Sequence, residues 1–564
     1  MQKNVVVIAV LVGAVYLSLG AKGSQPPAEG QREKVRPGTE LARLIAEVQQ
    51  HPVAALANVN TTATGHRIRS DIPAWLRAHY MRNHPHVLAA AQAKDPTGGF
   101  PLALDSLYVW MLGHQELQPS PAPRFLAAAQ VNVGPNLRIS GQSTGARSES
   151  DIRIDYGNAK RIIAASNSLG DGRQAQFFSS DGGASWGQTS LPLLAGDSLH
   201  SDPTVDWTSD GVAWATTIGI SAGSTSLQMR SYQSVDGGQT WTFDGTLSGN
   251  QTSADKQMMW VDRSPTSPNR DTIYVVWHND QPAFVNRRTS AGWQTPIRVS
   301  GPETTGTAIG SDITTNAFGD VFAVWPDTGS QQLFLVKSTD GGVSFGQPAK
   351  IGKTFSSFQI RVPAFAERGA LIGVSIAAFR NASRDDVYVS WVDLSGEPGC
   401  DSATSEPGSD VNSTCKSRVW FVRSQNGGTS WGTPLKVNDS ADASDQFNQK
   451  LSIDPESGNL GLVYYSTGTG ADRKKTNLVF QFSADNGATW STPPTVVTTK
   501  MTDETVASAD LGNQYGDYNG LSAVKGVFFP SWTDRRDNQS EAIYTAKIKL
   551  VRNTAGAVVA SVEP

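Results

Sequence analysis

An eight-residue pattern, Ser-x-Asp-x-Gly-x-Ser/Thr-Trp, recurs along this chain and constrains its fold more than any other feature. The copies begin at Ser179, Ser234, Ser338, Ser424 and Ser483, and the third copy ends in Phe instead of Trp. An eroded copy, Arg288 to Trp293, lies between the second and the third. The copies recur about every 50 to 60 residues, or more where loops are inserted, which is the length of one four-stranded blade. The repeat therefore predicts a β-propeller.

The strands around each copy allow the blades to be counted. An inner strand is expected to begin at each of seven places: Asp151, Asp202, Asp255, Asp312, near Arg361, near Gln449 and at Asp517. The seventh unit has three strands and no copy of the repeat. We therefore expect residues 130–140 to supply its outer strand and to close the ring, because an unpaired edge would be exposed otherwise. The prediction is an all-β propeller of about seven four-stranded blades over residues 125–552, with six blades as the alternative and a tail over 553–564.

The region before the propeller has a different composition. Val5 to Ala21 is an apolar run behind Lys3, which predicts a signal peptide over residues 1–23, with an uncleaved membrane anchor as the alternative. Residues 24–37 are polar and Pro-rich and are expected to be a flexible linker. Apolar residues at helical spacing then predict a small helical region over residues 38–120. The protein is therefore expected to be secreted, periplasmic or at the cell surface, with a membrane association only if the leader stays uncleaved.

Charge bears on the possible partners of this chain, and cysteine content bears on its covalent cross-links. The formal net charge is -4 and no basic cluster is present, so no nucleic-acid partner is expected. The only two cysteines, Cys400 and Cys415, flank a Gly/Ser/Asp-rich stretch, and in an exported chain they are predicted to form a disulfide. No cofactor is expected to be required, and the protein is expected to be a monomer.

The repeats resemble the Asp-box (BNR) repeats of sialidases and related secreted propellers, over about three quarters of the chain. The resemblance implies that each copy is the turn between the third and fourth strands of a blade, with a structural role. Its acidic or amide residue would bind backbone amides, and its Trp would pack between blades. These structural residues are Asp181, Asp236, Asp340, Asn426 and Asp485.

The topology implied by the resemblance places the functional face on the opposite rim. Strands alternate in direction, so the starts of the inner strands and the ends of the second strands meet there. Near the axis we expect Asp151, Asp202, Asp312 and Asp517. The second strands often end in Trp-x-Asp or a close variant. Further out we therefore expect Asp280, Asp327, Asp393, Asp534 and the adjacent Arg535. The disulfide loop is expected to lie over the same face.

Two readings of the four axial aspartates stay open at this point. They either cap strand ends beside an open tunnel, or they hold Ca²⁺, which prefers six to eight oxygen ligands. In either reading the axial cavity is predicted to be acidic.

Sialidases use a Tyr nucleophile and three Arg that bind the substrate carboxylate, and the resemblance offers Tyr518, Arg153, Arg361 and Arg535 for these roles. A seventh blade would change the angles at which these residues converge, and an acidic ring would repel an anionic sugar. We therefore favour a module that binds a glycan or an extracellular protein. The alternative is a glycoside hydrolase, either an exo-sialidase or a related glycan-cleaving enzyme.

Overall fold

The computed structural model describes residues 132–141, 145–170, 172–468, 472–536 and 540–550. Outside these ranges it describes the backbone of two short strand pairs, Asn60–Thr61 with Arg67–Ile68 and Val551–Arg552 with Val558–Val559. The signal segment, the linker and most of the region predicted to be helical lie outside the described residues. Within the described part of the chain, no helix is long and apolar enough to cross a membrane.

Seven antiparallel sheets follow one another along the chain, and each is one blade. Most blades run from the inner to the outer strand in sequence order, as in a β-meander. The strands of the first four blades are, for blade 1, Asp151–Ile154, Ile162–Ser166, Ala175–Ser179 and Gly187–Ser190; for blade 2, Asp197–Trp207, Ala213–Ser221, Leu227–Ser234 and Thr242–Thr246; for blade 3, Ala254–Val261, Ile273–Asn279, Ala283–Thr289, Gly292–Trp293 and Ile297–Arg298; for blade 4, Asp312–Thr315, Val321–Asp327, Gln332–Ser338 and Ala349–Lys353.

The remaining blades carry the longer connections. A 3-10 turn, Ala222–Ser224, lies in blade 2, and a two-stranded hairpin, Gln359–Ile360 with Ala370–Leu371, precedes blade 5. The strands are, for blade 5, Val374–Arg380, Asp385–Leu394, Ser417–Ser424 and Leu435–Lys436; for blade 6, Gln446–Ile453, Leu460–Ser466, Lys475–Ser483, Thr495–Val496 and Thr502–Asp503; for blade 7, Gly520–Val524, Val527–Asp534, Ala542–Thr545 and Ile548–Lys549, with Asn132–Val133 and Leu137–Arg138.

The ring is closed by a strand from the start of the described chain. Asn132 pairs with Lys549, Val133 with Ile548, Leu137 with Thr545 and Arg138 with Tyr544, so residues 132–138 form the fourth strand of blade 7. The inner strand of blade 7 also contacts the inner strands of blades 1 and 6. The predicted all-β fold, the count of seven blades and the closing strand are therefore confirmed.

One expected inner strand was placed wrongly. The inner strand of blade 5 is Val374–Arg380, whereas Arg361 directly follows the short strand Gln359–Ile360 in the preceding connection. The error arises because the connection contains an apolar run of its own, which is buried against the propeller and has the composition of a strand.

All five repeats form the turn between the third and fourth strands, and their side chains close it. In the second copy, Asp236 accepts hydrogen bonds from the amides of Gln239 and Thr240 and from the Thr240 hydroxyl. The Trp241 Nε1 atom donates to Gly238 O at 3.0 Å. Gly238 has a φ of 95°, and a Cβ there would lie 2.9 Å from Ile163 of blade 1. The repeat therefore combines a left-handed turn with close contact to the preceding blade.

Tryptophans of the second strands fill the space between blades. Trp277, Trp325, Trp391 and Trp532 are almost completely buried. Trp391 stacks on Trp420 of its own blade at a ring distance of 6.3 Å and also lies 3.7 Å from the Cβ position of Gly352 in blade 4. The Trp391 ring therefore packs both within its own blade and against the neighbouring one.

Candidate functional site on the rim opposite the repeat turns

The inner strands begin on the rim opposite the repeat turns, and several of them begin with a bulge. Asp202, Lys256 and Asn448 have positive φ values of 55°, 57° and 48°, and the pairing with the second strand shifts at each of them. Glu149, just before the inner strand of blade 1, has a φ of 56°. A bulge redirects the side chains next to it, and here these bulges lie where the strands converge on the axis.

Five buried charged residues meet at this rim, and we call them the axial charge cluster. The Lys256 Nζ atom lies 2.5 Å from Asp517 Oδ2, 3.2 Å from Asp202 Oδ2 and 3.8 Å from Glu149 Oε1. The Arg368 Nη2 atom lies 2.5 Å from Asp517 Oδ1 and 3.6 Å from Glu149 Oε1. The cluster joins blades 1, 2, 3 and 7 to the connection before blade 5. It therefore crosses the axis of the propeller.

The acids of the axial charge cluster differ in their protonation. Burial raises the pKa of Glu149 to about 8 against the opposing effect of Lys256, and the neighbouring carboxylates of Asp202 and Asp517 raise it further. Arg368 and Lys256 overcome the effect of burial on Asp517 and lower its pKa to about 2. Glu149 is therefore a protonated acid at neutral pH beside an ionised carboxylate.

Asn167 holds the protonated acid in place. Its Nδ2 atom donates to Glu149 Oε2 at 2.7 Å, and its Oδ1 atom accepts from the Asp202 amide at 3.0 Å. The same amide side chain therefore sets the positions of both Glu149 and the bulge at Asp202.

Asp151 and Asp312 lie apart from the axial charge cluster, each in an ion pair of its own. The Arg153 Nη1 atom is 2.5 Å from Asp151 Oδ1, and the Lys450 Nζ atom is 2.9 Å from Asp312 Oδ2. Each carboxylate also accepts a backbone amide of the next inner strand around the ring, from Val205 in one case and Ile376 in the other. These aspartates therefore join neighbouring blades.

The expectation of an acidic axial cavity is wrong, because four cations offset the four aspartates. With Glu149 protonated, the charges of the axial charge cluster sum to zero, and the two separate pairs are neutral as well. Within the described ranges, no group of three or more His, Cys, Asp or Glu side chains is arranged to hold a metal ion. Calcium binding by Asp151, Asp202, Asp312 and Asp517 stays an untested prediction, and it would require these carboxylates to release their Lys and Arg partners.

The outer acidic residues mainly hold loops. Asp327 accepts the amides of Gly306 at 2.7 Å and Ser330 at 2.8 Å. Asp393 accepts the amides of Phe355, Ser356 and Leu394, and burial outweighs these bonds and raises its pKa to about 7.

The remaining outer candidates follow the same pattern. Asp534 binds Trp532 Nε1 at 2.9 Å and Arg536, and Asp280 has a φ of 55° at the tip of its loop with its carbonyl 3.0 Å from His278 Nδ1. The side chain of Asp534 is therefore held by residues next to it in sequence, and Asp280 lies in the loop that follows its strand.

The residues suggested for a sialidase mechanism are held by different partners. The Tyr518 hydroxyl donates to Pro203 O at 3.1 Å, and the Lys256 Nζ atom lies 4.9 Å from the centre of its ring. Arg153 pairs with Asp151, and Arg535 pairs with Glu541 at 3.0 Å. Arg361 lies beneath the loop between the cysteines, where its amide donates to Glu406 Oε2 and its carbonyl accepts from Gly408. None of these contacts brings the three arginines to one spot.

The predicted disulfide is confirmed. Cys400 and Cys415 are bonded with an S–S distance of 2.05 Å. Their loop joins the second strand of blade 5 to the third, so it lies on the same rim as the axial charge cluster. A disulfide fits an extracellular or periplasmic protein.

Four residues of this rim were missed by the sequence analysis: Glu149, Lys256, Arg368 and Lys450. Lys256 directly follows Asp255, and Glu149 precedes Asp151 by two positions, so both lie next to recognised strand starts. Arg368 lies in the connection before blade 5, and nothing in its sequence surroundings distinguishes it.

Comparisons with known proteins identify no family for this chain. No family model matches the chain, and no curated protein matches it. A protein of unknown function from Dyadobacter fermentans is 12% identical with a TM-score of 0.40, over 74% of this chain and 99% of that one. A leech intramolecular trans-sialidase is 10% identical with a TM-score of 0.41, over 67% and 72%. An α-L-arabinofuranosidase from Fusarium graminearum is 10% identical with a TM-score of 0.37, over 62% and 92%. These values assign no activity to the chain.

Proposed function

We propose that the protein is an exported Asp-box propeller that binds a neutral glycan at the rim opposite its repeat turns. The observation that carries this proposal is the internal neutralisation of the rim, where Lys256 and Arg368 are already bound by Asp202 and Asp517. Neither cation of the axial charge cluster is therefore free for a substrate carboxylate. A site of this kind recognises a ligand through polar groups without attracting a net charge.

Buried amide groups around the axis support a polar, uncharged ligand. Gln257 donates its Nε2 hydrogen to Asp202 O, Asn448 donates to Gly516 O and Asn519 donates to Asn448 O. Among the described residues, the carbonyl oxygen of each of these three side chains has no hydrogen-bond partner. Buried acceptors of this kind are satisfied by donors such as water or ligand hydroxyl groups.

A glycan array probed with the secreted full chain tests the proposal, with a fluorogenic sialoside assayed in parallel. We expect neutral glycans to bind and no sialic acid to be released. Arg368→Gln should weaken this binding, whereas Arg384→Gln, which breaks an Arg–Asp pair at the opposite rim, should leave it unchanged. Tyr518→Phe should largely preserve binding, with Tyr465→Phe as its matched control because both hydroxyls donate to a backbone carbonyl. Release of sialic acid that Tyr518→Phe abolishes would refute the proposal.

Glycoside hydrolysis is the second candidate, and one observation favours it. Glu149 Oε1 and Asp517 Oδ1 both lie within 3.6 Å of Arg368 Nη2. They are therefore at most about 6 Å apart, which is compatible with the separation of about 5–5.5 Å between the two carboxyl groups of retaining glycosidases. Their pKa values are shifted in opposite directions, as an acid and a nucleophile would require. Hydrolysis of neutral aryl glycosides that is lost in Glu149→Gln, while glycan binding persists, would support this candidate over pure binding.

A further inference from the structure

A cavity lies away from the axial charge cluster, between the connection from blade 5 to blade 6 and the outer strands of blade 6. Its volume is about 500 Å³, which is within the range of small-molecule sites in proteins. One wall comes from residues 437–444, and the other comes from the third and fourth strands of blade 6. None of the axial residues lines it.

A buried arginine fixes the shape of the first wall. Arg418 is 0% exposed, and its guanidinium donates to Ser444 O at 2.5 Å, Ser440 O at 2.8 Å and Asp442 O at 3.0 Å. Because three carbonyls of the loop bind Arg418, the backbone of this wall is held in place. The wall is therefore set in advance of any ligand, which lowers the entropic cost of binding.

The polar groups of this wall match the hydroxyl groups of a sugar. Asp442 accepts the Ser440 hydroxyl and the Ser444 amide through Oδ1, both at 3.0 Å. Despite partial burial, hydrogen bonds from Ser444 and Ser440 keep the pKa of Asp442 below its usual range, so it is an ionised acceptor. Asn477 adds an amide from the facing strand. Carboxylate, hydroxyl and amide groups together can both accept from and donate to neighbouring hydroxyls.

The rest of the opposite wall is mostly apolar. Pro493, Pro494 and Val496 line it, and Val496 is 51% exposed. A surface of this kind packs against the C–H face of a sugar ring. The ionised Asp442 disfavours an anionic ligand, and Asp439 is already paired with Lys436 at 2.7 Å.

We infer that this cavity is a second binding site, which takes a neutral hydroxyl-rich ligand of monosaccharide size. It is independent of the rim site in position and residues. A chain with both sites would contact a branched or extended neutral glycan at two points, and this would increase the apparent affinity without new contacts at either site.

Binding of methyl glycosides of galactose, glucose and mannose to the full chain tests this inference, by saturation-transfer NMR and calorimetry. Val496→Trp should fill the cavity and weaken binding at least about tenfold, and Asp442→Ala should do the same by removing the acceptor. Val343→Trp is the matched control because Val343 is similarly exposed, at 55%, on a repeat turn. Thermal melting of each variant establishes that it is folded.

The outcomes separate the two sites. Loss of binding in Val496→Trp and Asp442→Ala, but not in the matched control Val343→Trp, supports the second site. If none of the methyl glycosides binds, if only N-acetylneuraminic acid binds, or if Arg368→Gln alone abolishes binding, the inference is overturned. If the rim proposal fails, binding at the cavity can still be tested, because the variants of the two sites share no residue.

Discussion

The Nζ atom of Lys256 in blade 3 lies 2.5 Å from Oδ2 of Asp517 at the start of blade 7. This contact passes across the axis and joins blades that are not neighbours in the ring. Both side chains are largely buried, with 7% and 11% exposure, so the contact belongs to the interior of the rim. A charge in such a place is stable only with its partner.

Lys256→Met should be strongly destabilising, because it leaves Asp202 and Asp517 without their shared cation. Breaking a buried pair by removing one partner costs about 3–5 kcal/mol. Denaturant unfolding of the purified wild type and variant measures this loss of unfolding free energy. Lys475→Met, which breaks an exposed pair with Asp472, is the control and should change little. An equally small effect for both variants would show that the axial contact is not a stabilising one.

Glu149 should make stability depend on pH. Its folded pKa of about 8 is above the ordinary value of 4.5, so the folded state binds more protons than the unfolded state between these values. Glu149 therefore contributes fully to the unfolding free energy below pH 4.5, and this contribution is lost as the pH rises through 8. Glu149→Gln should therefore flatten the fall in unfolding free energy from pH 5 to 8. Other buried acids such as Asp393 also contribute to the wild-type slope, so the difference between the two proteins is the quantity to measure.

The repeat turns should tolerate Asn better than Ala in place of Asp. Asp485 accepts the Thr489 amide at 2.9 Å and the Thr489 hydroxyl at 2.6 Å, and loss of these bonds in Asp485→Ala should cost about 1 kcal/mol. Asn426 already makes the equivalent contacts, with its Nδ2 atom donating to Ser430 Oγ at 2.7 Å. Asp485→Asn should therefore cost less than Asp485→Ala in the same thermal melts, and the reverse order would contradict the assigned role.

Loss of the disulfide should loosen its loop more than the ring. The bond spans 15 residues, for which chain entropy predicts about 3 kcal/mol. Hydrogen exchange of the Cys400→Ser, Cys415→Ser double variant should rise over residues 396–416 and change little in the strand Asp385–Leu394. Uniform loss of protection throughout blade 5 would instead show that the bond supports the whole sheet.

Two N-terminal deletions should have opposite results. Removal of residues 1–124 should leave a folded propeller, because the closing strand remains. Removal of residues 1–140 takes away Asn136, which donates to Val497 O at 2.9 Å and accepts from the Thr499 amide at 2.8 Å and from Arg536. It also exposes the edge Ala542–Thr545, which promotes aggregation. If the shorter deletion also yields only insoluble protein, residues before 125 are part of the fold.

The repeats were sufficient to predict the propeller, because each copy encodes a local turn. Asp236 and Gly238 lie within one turn, and their hydrogen bonds and backbone angles depend on residues close in sequence. The closing strand followed from the count of strands, since the seventh blade has only three strands in sequence and needs a fourth to cover its edge. The disulfide followed from the presence of only two cysteines.

Which cations pair with the aspartates of the rim could be established only from the tertiary structure. Asp151, Asp202, Asp312 and Asp517 were recognised from the sequence, but their cations come from positions 2 to 261 residues away. Lys256 reaches Asp517 only because the ring brings blades 3 and 7 within one side-chain length across the axis. Local patterns determined the strands and turns, whereas long-range closure determined which charges meet, because an electrostatic pair depends on distance in space and not on separation along the chain.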